Sequence, residues 1–264
     1  FALQAVRESQ EISHEKDAAC LRNTRLRVCC SAIYPAAATA LLIMKEQWQF
    51  PLDVDIGFSN SLQIIDSVLA GSDYDFLFSA QDPYLLLGGR LKRKYVRLLP
   101  VGVTEQWLYR NQSYALDSPS HICIIPGSSG VTQYMNLRHG LLRDVSFEES
   151  TRLSILERAL QLGPGEVIAA WAPISFTLDR EPTLERIGDS RYDILLYAFV
   201  NEEKWLNTDA PRRVAASFSR CFIRALEQAS LDPGRCHTLL TQTPDFESAF
   251  VVGSGYSKDL LCRE

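Results

Sequence analysis

Apolar residues in this chain fall into two kinds of run. Short dense or alternating stretches, "RLRVCC" from Arg25, "LDVDIGF" from Leu52 and "YDFLFS" from Tyr74, carry the period expected of strands. Between them, "AAATALLIMKE" is rich in good helix formers and "LQIIDSVLA" has the pattern of an amphipathic helix. Pro35 suits the first turn of the first helix, and Trp48, Phe50 and Pro51 end it. "SNS" supplies an N-cap for the second helix, and Gly71 stands where a left-handed C-cap belongs. Strand, helix, strand, helix, strand at spacings of about 25 residues predicts parallel βαβ units with ligands gathered at the carboxyl ends of the strands.

The same order begins again after "KYVRLLPVGVTEQWLYR". "HICIIPGSSG" reads as a strand and a Gly/Ser turn, "VTQYMNLRHGLL" and "TRLSILERALQLG" as helices, and "EVIAAWAPISF" as a strand. "YDILLYAFVNE" predicts one more strand, and "PRRVAASFSRCFIRALEQAS" a long amphipathic helix with Pro211 at its start. Residues 3–22 read as a mostly polar connector helix. The tail from Leu231 gives mixed patterns and one apolar run, "SAFVVG".

Composition narrows the function classes. The 264 residues are 46% hydrophobic and 22% charged, enough to bury a substantial core, so disorder is excluded as the main state. Net charge is −5, and "RLKRK" at Arg90–Lys94 is the one basic cluster, so no direct nucleic-acid contact by this chain is expected. No run reaches the length of a membrane-spanning helix, and the first residues lack the pattern of a secretory leader. Seven cysteines without framework spacing predict reduced, buried thiols. Cysteine usage and the absent leader favour a cytoplasmic setting; a periplasmic or membrane-anchored one stays open if more sequence precedes Phe1. With no CxxC, no HExxH and four dispersed histidines, neither metal nor cofactor is expected.

Three stretches carry a family resemblance: "LRVCCSAIYP", "SLQIIDSVLAGSDYDFLFS" and "LERALQLGPGEVIAAWAPI", with "NEEKWLNTDAPRRVAASFSRCFIRALEQA" as a closing helix. Together they resemble the type 2 periplasmic-binding-protein fold, and within it the solute-binding proteins for nitrate, sulfonates, taurine and thiamine precursors. The effector domains of LysR-type transcription regulators are similar too, and in them a linker helix precedes the first strand, as residues 3–22 do here. Ile168 and Ala169 depart from the pattern, since an acid is common there in the solute-binding proteins. The resemblance implies an α/β protein of two Rossmann-like lobes joined by two crossover segments. Residues 1–24 would be the connector helix, 25–100 and 190–264 lobe I, and 101–189 lobe II.

In such a fold a small ligand sits between the lobes against the loops after the strands. Ser31, Ala32, Ile33 and Tyr34 would offer amides, a hydroxyl and a ring. Ser59, Asn60 and Ser61 precede a helix whose free amides and dipole favour an anion, and Ser79 and Gln81 end the third strand. Gly127, Ser128, Ser129 and Thr132 form a small-residue turn that lets backbone approach an anionic group, and Trp171 stands near the return crossing. Capping and core packing explain several of these positions equally well. Catalysis is poorly supported: G-x-S-x-G is absent, His139 and His237 have no evident nucleophile to serve, and Glu148, Glu149, Asp73 and Asp75 look like solvated positions or caps. The expectation is a non-catalytic receptor for a small anionic or zwitterionic molecule, closing by a hinge. As a solute-binding component it would dock on a membrane transporter. The alternative is the ligand-sensing domain of a regulator, dimeric through the N-terminal helix, and a third reading is a biosynthetic enzyme on the same fold.

Overall fold

Strand β1 (Leu26–Ser31) is buried along its length except at Arg27, as a dense apolar run flanked by polar turns requires. A computed structural model describes it within residues 15–22, 24–31, 34–57, 64, 67–80, 94–115, 121–124, 146–149, 152–171, 174–188 and 190–243. Cys29 and Cys30 point to opposite faces of β1 and join different apolar clusters, as adjacent residues on a strand must. No disulfide joins the six described cysteines, and burial pushes the Cys221 thiol up to about 12.

Helix α1 (residues 15–22) precedes β1, and α2 (Pro35–Trp48) follows it, with proline in its first turn. Gln49 takes a left-handed conformation that stops α2 before β2 (Leu52–Gly57). Gly71, at φ +106°, turns the chain back toward β3 (Phe76–Ala80). The chain then enters a long strand, β4 (Tyr95–Asn111), followed by β5 (His121–Ile124), β6 (Ser146–Glu149), α3 (Arg152–Ala159) and β7 (Glu166–Trp171). Helix α4 (Ile174–Leu178), the short β8 (Leu184–Arg186) and the second long strand, β9 (Tyr192–Asn201), come next. Helices α5 (Glu202–Trp205), α6 (Asp209–Leu231) and α7 (Pro233–Thr241) complete the described chain. "APISF" is therefore not a continuation of β7: Ile174 to Leu178 form a helix whose Ile174, Ser175 and Leu178 are buried.

The sheet order is β2-β1-β3-β9-β4-β7-β5-β6, with β8 on β4. Read inward from either edge, each side has its second, first and third strands, parallel to one another, and then a long antiparallel strand. The two long strands β4 and β9 also pair with each other, so each belongs to both halves. This is a two-lobed α/β arrangement with two crossovers.

In the first half, α6 lays Phe218 and Phe222 on Phe76 and Phe78 of β3, with ring centroids 3.9 Å apart for Phe76–Phe218 and 4.7 Å for Phe78–Phe222. Helix α1 is more than a polar connector. Ala18 and Leu21 are in the core, and the Asp17 carboxylate accepts from Ser217 Oγ at 2.9 Å and from Arg220 Nε and Nη2 at 2.6 and 2.5 Å.

Of the carboxylates expected in solvent or at caps, Asp75 is buried, and Glu148 is partly exposed but paired. Asp75 is 1% exposed and accepts from the Trp205 indole at 2.7 Å and the Arg27 amide at 2.7 Å, with Lys204 Nζ at 2.5 Å. Glu148 lies 3.1 Å from His121 Nε2 and 3.4 Å from Arg158 Nε. The His121 hydrogen bond holds its carboxyl below the usual glutamate range.

Candidate functional site

The parallel strands of the two halves aim their carboxyl ends at one short stretch of the crossover. Ala80, the last residue of β3, pairs with Leu196 of β9, which in turn faces Gly102 of β4. Trp171, the last residue of β7, pairs with Gln106 of β4. Gly102 and Gln106 are four residues apart, roughly 13 Å of extended chain. Whatever lies over that stretch is flanked by strand ends from both halves.

A cavity of about 320 Å³ lies there. Its floor is Val101 to Glu105 of β4 with Leu196 of β9. The first half contributes Tyr34 and the first turn of α2, Pro35 to Ala37; the second contributes Ser175 and Phe176 of α4 and Arg186 of β8. The first half's wall follows from local sequence. Tyr34 donates its amide to the Ser31 carbonyl at 3.0 Å, closing the turn that aims Pro35 into helix, and no acidic residue occupies that first turn. Pro35 has no N–H, and the first-turn amides of Ala36 and Ala37 have no backbone acceptor among the described residues.

The second half's wall is organised around Arg186. Its Nε donates to Asp179 Oδ1 at 2.7 Å and to Tyr109 Oη at 3.1 Å, and its Nη2 pairs with Asp179 Oδ2. The guanidinium lies 4.5 Å above the Trp107 ring. The Asp179 hydrogen bond raises the Arg186 pKa further, and burial pushes the Tyr109 phenol up. Glu105, the acid of the floor, is 2.7 Å from Arg191 Nη2 and accepts from Trp107 Nε1 at 3.1 Å. Thr104 Oγ1 is buried with no hydrogen-bond partner, and Ser175 is 2% exposed. The lining thus combines apolar surface, hydroxyls and one braced cation. Among the described lining residues there is no histidine or cysteine to act as a base or thiol nucleophile. Among all described residues no group of His, Cys, Asp or Glu could hold a metal ion, and no helix is long and apolar enough to cross a membrane.

Of the site residues expected from sequence, Tyr34 lines the cavity. Ser31, Ser79 and Trp171 are buried at the carboxyl ends of β1, β3 and β7 and are not among its lining residues. Ala32, Ile33, Ser59, Asn60, Ser61, Gln81, Gly127, Ser128, Ser129 and Thr132 lie outside the described residues. Sequence reasoning missed the floor and the second wall. "VGVTE" reads only as part of a link, and Arg186 sits in a polar stretch, "TLERIGD", that looks like surface. The usable cue was the length of the link itself, since a strand shared by both halves must cross beneath the cleft.

No family model matches the chain, and no curated protein matches it. Among solved structures it is similar to the periplasmic aliphatic sulphonate binding protein SsuA from Escherichia coli, at 12% identity and a TM-score of 0.58, over 86% of this chain and 82% of that one. A Candida albicans gene product described as having the generic periplasmic binding protein fold matches at 10% identity and a TM-score of 0.59, over 90% and 86%. The fold is that of the periplasmic binding proteins. A ligand-binding component of an ABC-type import system from Staphylococcus aureus, with zinc bound, agrees at 11% identity and 0.59, over 91% and 83%. At such identities the likeness is one of architecture.

Proposed function

We propose that this protein is a non-catalytic receptor that holds a small organic molecule in the cavity between its halves and closes around it. The observation that carries the reading is that one cavity takes its walls from both halves and its floor from the two strands that join them. A ligand touching both walls has more contacts when the halves approach, so its differential affinity favours closure. The moving bodies are lobe I, residues 25–100 with 190–264, and lobe II, residues 101–189. The β4–β9 register shifts, between Arg97 and Leu99 and between Pro100 and Gly102, supply a hinge at their junction. The fold shared with a sulphonate binding protein and an import component supports a solute-binding role with a membrane transporter as partner.

A sensor domain is the second reading, favoured by the Asp17–Arg220 clamp, which fixes α1 rigidly to lobe I so that closure would be felt by whatever α1 leads to. The face of α1 left for a partner in a homodimer carries Glu15, Lys16, Ala19 and Arg22.

Gly102 gives the test. A Cβ there would meet Leu196 Cδ1 at 3.7 Å, an ordinary contact, so the backbone at 102 admits a side chain, and Gly102→Leu adds apolar bulk to the cavity floor. In a thermal-shift panel of sulfonates, amino acids, aromatic acids and pyrimidines, at least one class raises the wild-type melting temperature. Gly102→Leu abolishes that shift while its own melting temperature stays within about 3 °C of wild type. An unaltered shift in the variant would place binding elsewhere, and turnover of a bound compound would move the reading to an enzyme.

A further inference from the structure

We infer that the cleft selects a molecule with an apolar body and a single oxyanion head, carboxylate or sulfonate, and rejects zwitterions and cations. The inference rests on the cleft reading above and follows from which hydrogen-bonding capacity in the cavity is still unspent. Arg186 commits Nε and Nη2 to Asp179 and Tyr109, whereas its Nη1 donates to none of the described residues. The group is held in place by the carboxylate behind it and by the Trp107 ring beneath it, so little freedom is lost when an anion binds. Ser175 offers a hydroxyl from a side chain that is almost wholly buried yet lines the cavity. Thr104, also a lining residue, carries a buried hydroxyl without a hydrogen-bond partner. The Ala36 and Ala37 amides oppose these from the first half, at a helix start with no acid of its own.

Among the described lining residues, acceptors for a bound ammonium are lacking by comparison: Glu105 is the one carboxylate of that set, and its two oxygens already face the Arg191 guanidinium and the Trp107 indole. A cationic group placed there would displace Arg191 or share a compensated charge, and would lie in a cavity already holding Arg186. The remainder of the wall, Tyr34, Val101, Val103, Phe176 and Leu196, suits hydrocarbon or a ring. A cavity of about 320 Å³ has room for a body well beyond a bare oxyanion.

The test uses benzoate, benzenesulfonate and isovalerate against phenylalanine and benzylamine, by thermal shift followed by calorimetric titration of the full chain. One or more of the three anions binds, and phenylalanine and benzylamine bind at least about tenfold more weakly. Ser175→Ala, which leaves the Arg186–Asp179 pair intact, weakens the anion about three- to tenfold. Arg186→Gln weakens it more, and the ratio of benzoate to benzenesulfonate affinity identifies the head group. Phenylalanine or benzylamine binding as tightly as the anions, with the binding lost in Gly102→Leu, would overturn the charge selection and leave the cleft reading intact. Anion binding insensitive to both Ser175→Ala and Arg186→Gln would overturn the assignment of the head. No binding by any of the three anions would also overturn it, while the wider panel with Gly102→Leu decides the cleft reading separately.

Discussion

Asp75 concentrates much of the first half's cohesion in one side chain. One carboxylate oxygen accepts the Trp205 indole N–H and faces Lys204, and the other accepts the Arg27 amide. Its own amide donates to the Arg27 carbonyl at 2.7 Å, and its carbonyl accepts from Asn201 at 3.0 Å. The residue therefore ties the start of β1, the start of β3 and the β9–α5 corner. Asp75→Ala would strand a buried indole N–H and a buried backbone amide and leave Lys204 unpaired, a loss of about 3 to 5 kcal/mol. Urea unfolding would show it as a lower midpoint, with Asp75→Asn falling between because it keeps one acceptor. Ligand affinity measured on the folded fraction should be unchanged, since Asp75 is not in the cavity lining. Sequence gave little warning of this role. "GSDYD" is a polar turn in which an aspartate reads as solvated, and the partner that buries it, Trp205, is 130 residues away.

At the scale of elements, the second half has one set of polar ties apart from its site, besides the Arg186–Asp179 pair within it. The ties lie at the amino ends of β5, β6 and β7, whereas the cavity lies toward the carboxyl ends. His121 Nδ1 is 2.7 Å from Ser146 Oγ, Arg158 Nη2 is 2.5 Å from Glu166 Oε1, and Glu166 Oε2 accepts from the Gly163 amide at 2.7 Å. The Arg158 hydrogen bond holds the Glu166 carboxyl below its ordinary value of 4.5, and the His121 bond does the same for Glu148. A carboxyl depressed in the folded state stabilises it above the unfolded value, and that contribution is lost as pH falls through the folded value. The melting temperature should therefore fall as pH drops below about 4.5, and Glu166→Gln should lower it at pH 7 but flatten its decline toward pH 3. A variant with the wild-type slope would remove Glu166 from the acid response. The same elements show what a single sequence can reveal. Strands β1, β3, β7 and β9 and helices α2 and α6 were legible because each buries an apolar run or stripe. Strand β6, "SFEE", and β8, "LER", were not, since neither has an apolar pattern and both are held by pairing to a neighbour.

Over the whole molecule, the repeated order of strands was legible as two rounds of βαβ, and a cleft between the halves followed from the family resemblance, but the composition of the cleft was not legible. Its floor joins Val101 to Glu105 with Leu196, segments brought together only by the antiparallel pairing of the long strands, and β4 mixes buried and exposed positions without a clean alternation. That pairing also sets the mechanics. Each half is internally braced by its own parallel strands, while the halves share β4 and β9, whose ladder shifts register twice just before the floor. Bending is cheapest where ladder hydrogen bonds are already interrupted. A closed chain of this length has an expected radius of gyration of about 18 Å. Small-angle scattering of the unliganded protein should give a larger value that falls toward it when a saturating ligand from the thermal-shift panel is added. The ligand-dependent fall should disappear in Gly102→Leu, in which no ligand can bridge the walls. Saturation without any change in radius would mean that the register shifts do not act as a hinge, and that the cavity receives its guest as a rigid, preformed site.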